Sequence, residues 1–262
     1  MVFLTHGPGR WDPTCYKSSS SAPHFAVGSD PHSAERSFAS GNERTVADYS
    51  SGGQKTGFHV READDFRLIT DFMNMNMEAQ TVYLTMTFDF IDGPLASGWR
   101  DLKPILLDED SCGVRDNSPP QETGSFTLMT NPWTPEFEGE VIGIGTHLHD
   151  GGAGVKVVVN NSTVVCKTTA LYAETPEFVF ETKKDMAGNT EVAEKHISSL
   201  APCYYDDIKV KTINKSQTWR LLGDYDYSIH KGNKESGKQG GVMVVGIIYV
   251  TKPAEGFPKP FH

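Results

Sequence analysis

Two histidines two residues apart point more directly to chemistry than any other feature of this sequence. His147 and His149 lie in the stretch GEVIGIGTHLHDGG, where a β-strand is predicted to end in the turn at Gly151 and Gly152. Side chains at i and i+2 of a strand project from the same face, about 6–7 Å apart. Both imidazoles could therefore bind one metal ion. The alternative is an exposed strand end whose histidines only form hydrogen bonds in a turn, and a third ligand would decide between the two.

A candidate for the third ligand lies near the C-terminus, in the stretch KQGGVMVVGIIYV. Met243 is part of a predicted strand rich in valine and isoleucine, and its thioether is a soft donor. Two imidazoles and one thioether favour copper, above all Cu(I), over zinc, magnesium or calcium. A methionine on an apolar strand is more often a core residue, so residue type alone leaves both interpretations open.

Four further residues could line a pocket or support the histidines. Asp150 could hydrogen-bond an imidazole N–H and fix its orientation, or it could cap the Gly-Gly turn that follows. His196 could approach the site from a neighbouring segment, and His230 could contact a ligand from an aromatic-rich loop; packing and solvent-exposed roles are the alternatives. Tyr225 is one of several aromatic residues that could line a substrate cavity or belong to the core.

The rest of the sequence indicates an all-β protein. Runs of β-forming residues recur between Gly, Pro, Asn and Asp clusters, at 57–60, 81–90, 102–107, 140–148, 154–159, 163–171, 208–213, 217–222 and 242–250. This spacing is typical of sandwich or jelly-roll sheets. Helical patterns are confined to short stretches at 62–72 and 189–199. A polar stretch with a Pro pair near 113–125 favours a division into domains 1–120 and 121–262.

Composition and motifs exclude several classes of function. The formal net charge of −10 opposes binding to nucleic acid phosphates or anionic membranes. No stretch approaches the roughly 18 apolar residues that would cross a bilayer. The sequence also lacks GxSxG, a phosphate-binding glycine loop and HExxH, which removes support for serine hydrolase, nucleotide-binding and zincin functions. A small organic molecule is the partner that we expect.

Cysteines and glycosylation motifs indicate the compartment. The four cysteines are widely spaced with no CxxC, which excludes a zinc ribbon and favours disulfides in an oxidising compartment. Three glycosylation sequons, at Asn160, Asn161 and Asn214, also favour the secretory pathway or an extracellular location. The first residues do not have the pattern of a signal peptide.

The order of these motifs resembles the C-terminal half of the copper type II, ascorbate-dependent monooxygenases, which include peptidylglycine α-hydroxylating monooxygenase. The resemblance covers about the last 125 residues and rests on THLHDGG at 146–152, Cys166, HISSLAPC at 196–203 and GGVMVVGIIYV at 240–250. The sequence looks closer still to uncharacterised, mostly fungal secreted proteins with GHLHDGG, FASGNE and MNMN stretches. This chain has FASGNERT at 38–45 and FMNMNMEAQTVYLT at 72–85.

The resemblance implies a fold, a cofactor and a disulfide. It implies two jelly-roll-like antiparallel β-sandwiches, the first incomplete at its N-terminus. It implies one copper ion per chain, held by His147, His149 and Met243. With both cysteines in the better-matched half and on neighbouring strands, it also favours a disulfide between Cys166 and Cys203.

One departure from the family bears on function. The monooxygenases hold a second, electron-transferring copper with a His-His pair followed by Met-Val and with a later histidine. The resemblance aligns Met1-Val2 directly after the position of that pair and places Met73 or Met75 at the later histidine. The second copper is therefore unsupported in this sequence.

Three functions remain open on these grounds. The first is a copper-dependent oxidase or monooxygenase acting on a small organic substrate, as in fungal secondary metabolism. The second is a non-redox isomerase or pericyclic cyclase, for example of the Diels-Alderase type, which would use the same scaffold to hold reacting atoms close together. The third is a secreted copper-binding protein without catalytic turnover.

Overall fold

The computed structural model describes residues 1–17, 30–41, 43, 45–50, 52–72, 78–93, 97–109, 112, 117–179, 195–235 and 237–251. In chain order its strands are β1 (Val2–His6), β2 (Ala34–Ala39), β3 (Thr56–Gly57), β4 (Asp65–Ile69), β5 (Arg100–Leu107), β6 (Ser125–Met129), β7 (Gly139–Leu148), β8 (Gly152–Val159), β9 (Thr163–Tyr172), β10 (Ile197–Leu200), β11 (Thr212–Ile213), β12 (Trp219–Asp226), β13 (Lys234–Glu235), β14 (Lys238–Gln239) and β15 (Val244–Thr251). Two 3₁₀ turns, Pro176–Phe178 and Tyr205–Asp207, are the helical elements within these ranges. No helix of the described residues is long and apolar enough to cross a membrane.

Two five-stranded sheets form a β-sandwich. One sheet has the order β10-β9-β8-β12-β6 and the other the order β11-β7-β15-β5-β3. The core between them takes residues from both sheets, including Leu221 and Val157 from the first and Ile144 and Ile248 from the second. Strand β12 alternates buried and half-buried residues along its whole length, as expected of a strand with one face toward a core. The all-β sandwich expected from the sequence is confirmed.

A third sheet and the segment that follows its strand β2 cover the outer face of the β7-β15-β5 sheet. The third sheet has the order β2-β1-β4. Tyr49 packs on this outer face with Ile142, Val245 and Tyr249 in a second apolar cluster. Because both of its faces are covered, β15 is buried at all eight positions, which explains its nearly continuous apolar sequence.

Several sequence predictions need correction. Residues 62–72 do not form a helix, since they contain strand β4, which pairs with β1. Residues 81–90 form no strand, and the side chains of Val82, Tyr83 and Phe90 are exposed. Alternating β-forming residues are therefore not enough to form a strand at 81–90, because no neighbouring strand of the described structure pairs with them. The other predicted helix, 189–199, lies partly outside the described residues, and its last part belongs to β10.

The proposed division at residue 120 stays a prediction. Strand β5 precedes that position and nevertheless pairs with β15 of the sandwich. A disulfide between Cys15 and Cys112 also joins the N-terminal region to the segment after β5. Both cysteines precede residue 120, so backbone pairing between β5 and β15 is what connects the two halves of the chain.

A buried ion cluster connects the third sheet to the sandwich. Arg36 of β2 binds Asp12 and Asp108 at 2.9 Å each, and all three side chains are almost fully buried. Burial alone would raise the pKa of Asp12, but the charge of Arg36 and the hydrogen bonds from Arg36 and Thr14 outweigh it and hold the pKa at about 2. Asp108 directly follows β5, so this cluster holds β2 against the sandwich.

Replacing Arg36 with methionine is expected to destabilise the fold strongly. Asp12 and Asp108 would lose their shared positive partner while remaining buried, which costs about 3–5 kcal/mol. Chemical denaturation of the wild type and the variant measures this loss. The matched control is Lys17→Met, which removes the exposed ion pair with Glu136 and should cost less than about 1 kcal/mol. Similar losses in both variants would contradict the role assigned to Arg36.

Candidate metal centre

The pairing of β7 with β15 determines where the predicted ligands lie. The strands are antiparallel, with His147 opposite Val245 and Leu148 opposite Val244. His149 directly follows Leu148, and Met243 directly precedes Val244, so the two residues lie next to each other where the paired strands end. Because side chains alternate along strands, His147 and His149 share the outer face with Val245, whose side chain belongs to the outer cluster. Met243 packs against the same cluster.

Both imidazoles are oriented by hydrogen bonds to their Nδ1 atoms. Nδ1 of His147 lies 2.7 Å from Oε1 of Glu43, and Nδ1 of His149 lies 2.8 Å from the carbonyl oxygen of Gly241. Both partners are acceptors, so each Nδ1 carries the proton and the ring lone pair resides on Nε2. This is the tautomer that a metal-binding histidine needs, and such carboxylate and carbonyl partners commonly orient metal ligands.

The spacing of the two rings fits a shared ion. The ring centroids of His147 and His149 are 5.4 Å apart, and the ring planes are inclined at 73°. With metal–nitrogen bonds of about 2 Å, two imidazoles on one ion have centroids separated by roughly 5–6 Å. Within the described ranges, no three His, Cys, Asp or Glu side chains are grouped as a metal site. Among the described residues, a further donor for these two rings would thus be of another type, as the thioether of Met243 is.

Tyr225 fixes the backbone beneath these residues. It is almost fully buried, and its hydroxyl donates to the Met243 carbonyl oxygen at 2.7 Å. The hydroxyl oxygen of Tyr225 in turn accepts the His149 N–H at 3.1 Å. Burial raises the pKa of Tyr225 well above its ordinary value, so the phenol stays protonated. It therefore joins the two candidate ligand segments and does not line an open pocket.

Asp150, His196 and His230 lie in a separate polar cluster. Asp150 hydrogen-bonds Nδ1 of His196 and accepts the Ile197 N–H at 2.8 Å. Its imidazole partner is thus His196 and neither His147 nor His149. The His230 ring stacks on Tyr172 with centroids 4.0 Å apart. None of these side chains contributes to the cavity described below, whose walls include His147.

The N-terminal half contributes a residue to the site that sequence reasoning missed. Glu43, the partner of His147, is buried. Burial would raise its pKa, but the electrostatic interaction and hydrogen bond with the Nδ1–H of His147 and hydrogen bonds from backbone N–H groups outweigh this effect, so the pKa is lowered. The FASGNERT motif at 38–45 contains this residue. The resemblance includes this motif but gives Glu43 no role, because its partner His147 lies 104 residues away in the sequence.

Glycines allow this N-terminal segment to approach the histidine strand closely. A Cβ atom at Gly143 would lie 2.0 Å from the Tyr49 ring, and one at Gly41 would lie 2.0 Å from Cε1 of His147. Gly143 thus provides the space that Tyr49 fills. Gly41 provides the space for the imidazole of His147 itself.

A disulfide fixes the other side of the histidine strand. Cys166 on β9 is bonded to Cys203, the pair expected from the resemblance. Cys203 also exchanges two backbone hydrogen bonds of 2.9 Å with Ile144 of β7. The disulfide therefore joins the two sheets at Ile144, three residues before His147.

Two curated proteins are similar to this chain. A probable copper-dependent oxygenase of Cochliobolus lunatus is 28% identical over 220 residues, which are 83% of this chain and 65% of that protein. A probable copper-dependent oxygenase of a Phoma species is 32% identical over 220 residues, which are 83% of this chain and 52% of that protein. The chain spans about half to two thirds of the length of these relatives. No family model matches it, and no solved structure is significantly similar.

Replacing Gly41 with alanine is expected to displace His147. The new methyl group would overlap the imidazole, since the backbone there has no positive φ that would make alanine strained for another reason. NMR of the histidine side chains should show loss of the hydrogen bond at Nδ1 of His147. The overpacking should also lower the free energy of unfolding by about 1–3 kcal/mol. Gly57→Ala is the control, because a Cβ there meets only Trp99 at 3.9 Å. An unchanged His147 signal in Gly41→Ala would contradict this geometry.

Proposed function

We propose that this protein is a copper-dependent oxidase or monooxygenase that acts on a small organic substrate. His147, His149 and Met243 would hold one copper ion per chain. The observation that carries the proposal is the pair of imidazoles on one sheet face, each with its Nδ1 bonded to an acceptor. Similarity to two probable copper-dependent oxygenases supports the choice of metal.

The donor set matches copper better than other common metals. Imidazoles suit zinc, copper, iron and nickel, whereas a thioether is a soft donor that favours Cu(I). When bound, copper supplies one-electron and dioxygen chemistry that amino acid side chains lack. The role of the chain is to orient the donors: Glu43 and the Gly241 carbonyl hold the imidazole rings, and Tyr225 holds the backbone of Met243.

Further features of the proposal concern surroundings and partners. The resemblance to copper type II monooxygenases supports a small organic substrate of fungal secondary metabolism. The two disulfides favour an oxidising compartment, which agrees with secretion. The net charge of −10 argues against nucleic acid as a partner.

Metal analysis tests the proposal. The full chain, reconstituted with Cu(I) and freed of excess metal, should retain about one copper per chain. The double variant His147→Ala, His149→Ala should retain less than a tenth of that amount, because it loses both nitrogen donors. The control double variant His32→Ala, His59→Ala removes two exposed histidines and should bind copper as the wild type does.

Two results would overturn this proposal. A wild-type chain that retains no copper would refute the metal site itself. Substrate turnover that continues at full rate in metal-free protein without oxygen would instead favour the isomerase or cyclase function.

A further inference from the structure

A cavity of about 50 Å³ lies beside His147, between the N-terminal segment and the histidine strand. Its walls are mainly apolar and include Leu200, Pro202, Val245 and Ile247. A cavity of this size and character can enclose a few non-hydrogen atoms of an organic molecule. His147 forms part of the wall, so a group bound there would lie next to the candidate metal centre.

Two polar side chains of the wall already have partners. The hydroxyl oxygen of Thr45 accepts the Leu200 N–H at 3.2 Å. The Tyr249 hydroxyl donates to the carbonyl oxygen of Ser37 at 3.1 Å. These two hydrogen bonds stabilise the cavity wall itself.

Glu43 differs from them because only one of its oxygens is used. Oε1 accepts the hydrogen bond from His147 and a second one from the Gly41 N–H at 2.9 Å. Oε2 is buried and has no hydrogen-bond partner in the described part of the chain. A buried carboxylate oxygen without a donor is unfavourable, so a donor supplied by a ligand would relieve that cost.

We propose that this cavity binds the hydroxyl-bearing part of an otherwise apolar small molecule, with the hydroxyl donating to Oε2 of Glu43. The apolar part would contact Leu200, Val245 and Ile247. The assignment of this cavity as the substrate site of a copper protein rests on the function proposed above, because His147 is what places the bound group beside the metal. A carbonyl or ether oxygen at the same position is an acceptor, as Oε2 of Glu43 is, and the two could not form a hydrogen bond. The cavity should therefore discriminate against such a ligand.

A pair of matched probes tests the proposal. 2-Propanol and acetone have the same carbon skeleton and suit a cavity of this size, but only the alcohol can donate a hydrogen bond. Each is titrated into the full chain loaded with Cu(I), which is diamagnetic, and amide NMR signals are followed. We expect 2-propanol to shift the amides of Gly145, Thr146 and Val245, with an affinity at least fivefold greater than that of acetone.

Variants identify the group responsible for this preference. Glu43→Gln introduces an amide that can donate, so the preference for the alcohol should disappear or reverse. Glu140→Gln makes the same chemical change on β7 at a half-buried residue that binds Tyr205 and lies outside the cavity, so the preference should persist. The comparison of the two probes in the wild type stands even if Glu43→Gln fails to fold.

The outcomes are distinct from those of the metal analysis. Equal affinity for the two probes in the wild type, or shifts confined to amides away from the cavity, would overturn the inference. The same titration in metal-free protein separates the two proposals. A preserved preference without copper binding would refute the metal site and leave the cavity assignment intact, and copper binding without the preference would do the opposite.

Discussion

The antiparallel pairing of β7 with β15 is the constraint on which the site depends. This register places Met243 beside His149 and the side chain of His147 on the outer face of the sheet. A slip of one residue would turn every side chain of one strand to the opposite face. Leu148 and Val244 resist that slip, because both are buried in the sandwich core on the inner face. The apolar core therefore fixes the position of polar groups that do not belong to it.

The outer face becomes a site because the N-terminal half covers it. Tyr49 fills the space above Gly143, and Glu43 reaches Nδ1 of His147. This cover is held to the sandwich by the Arg36 ion cluster and by the disulfide between Cys15 and Cys112. Damage to the N-terminal sheet should thus disturb the histidines, although none of the proposed copper ligands belongs to it.

The local pattern of apolar residues in the sequence predicted the strands that bury one face or both faces regularly. Strands β5, β7, β8, β9, β12 and β15 all overlap predicted strands, since a period of two or an apolar run is visible without tertiary information. The same reasoning failed at 81–90, where the pattern is present but no partner strand pairs with it. It also assigned a helix to the residues of β4, whose strand conformation depends on pairing with β1.

The candidate site was predictable only where its residues are close in the sequence. The spacing of His147 and His149 is a local signal, and Met243 was suggested by a resemblance. Glu43 could not be identified as the partner of His147, because only the fold brings the two together. Asp150 shows that proximity in sequence does not identify the partner, since it follows His149 directly yet binds the imidazole of His196.

X-ray absorption at the copper edge of the Cu(I)-loaded chain tests the central claim most directly, because it reports the atoms bound to the metal. The account predicts imidazole nitrogens together with one sulfur in the wild type, and loss of the sulfur with retention of the nitrogens in Met243→Leu. A wild-type spectrum without sulfur, or a sulfur signal that persists in Met243→Leu, would contradict the account.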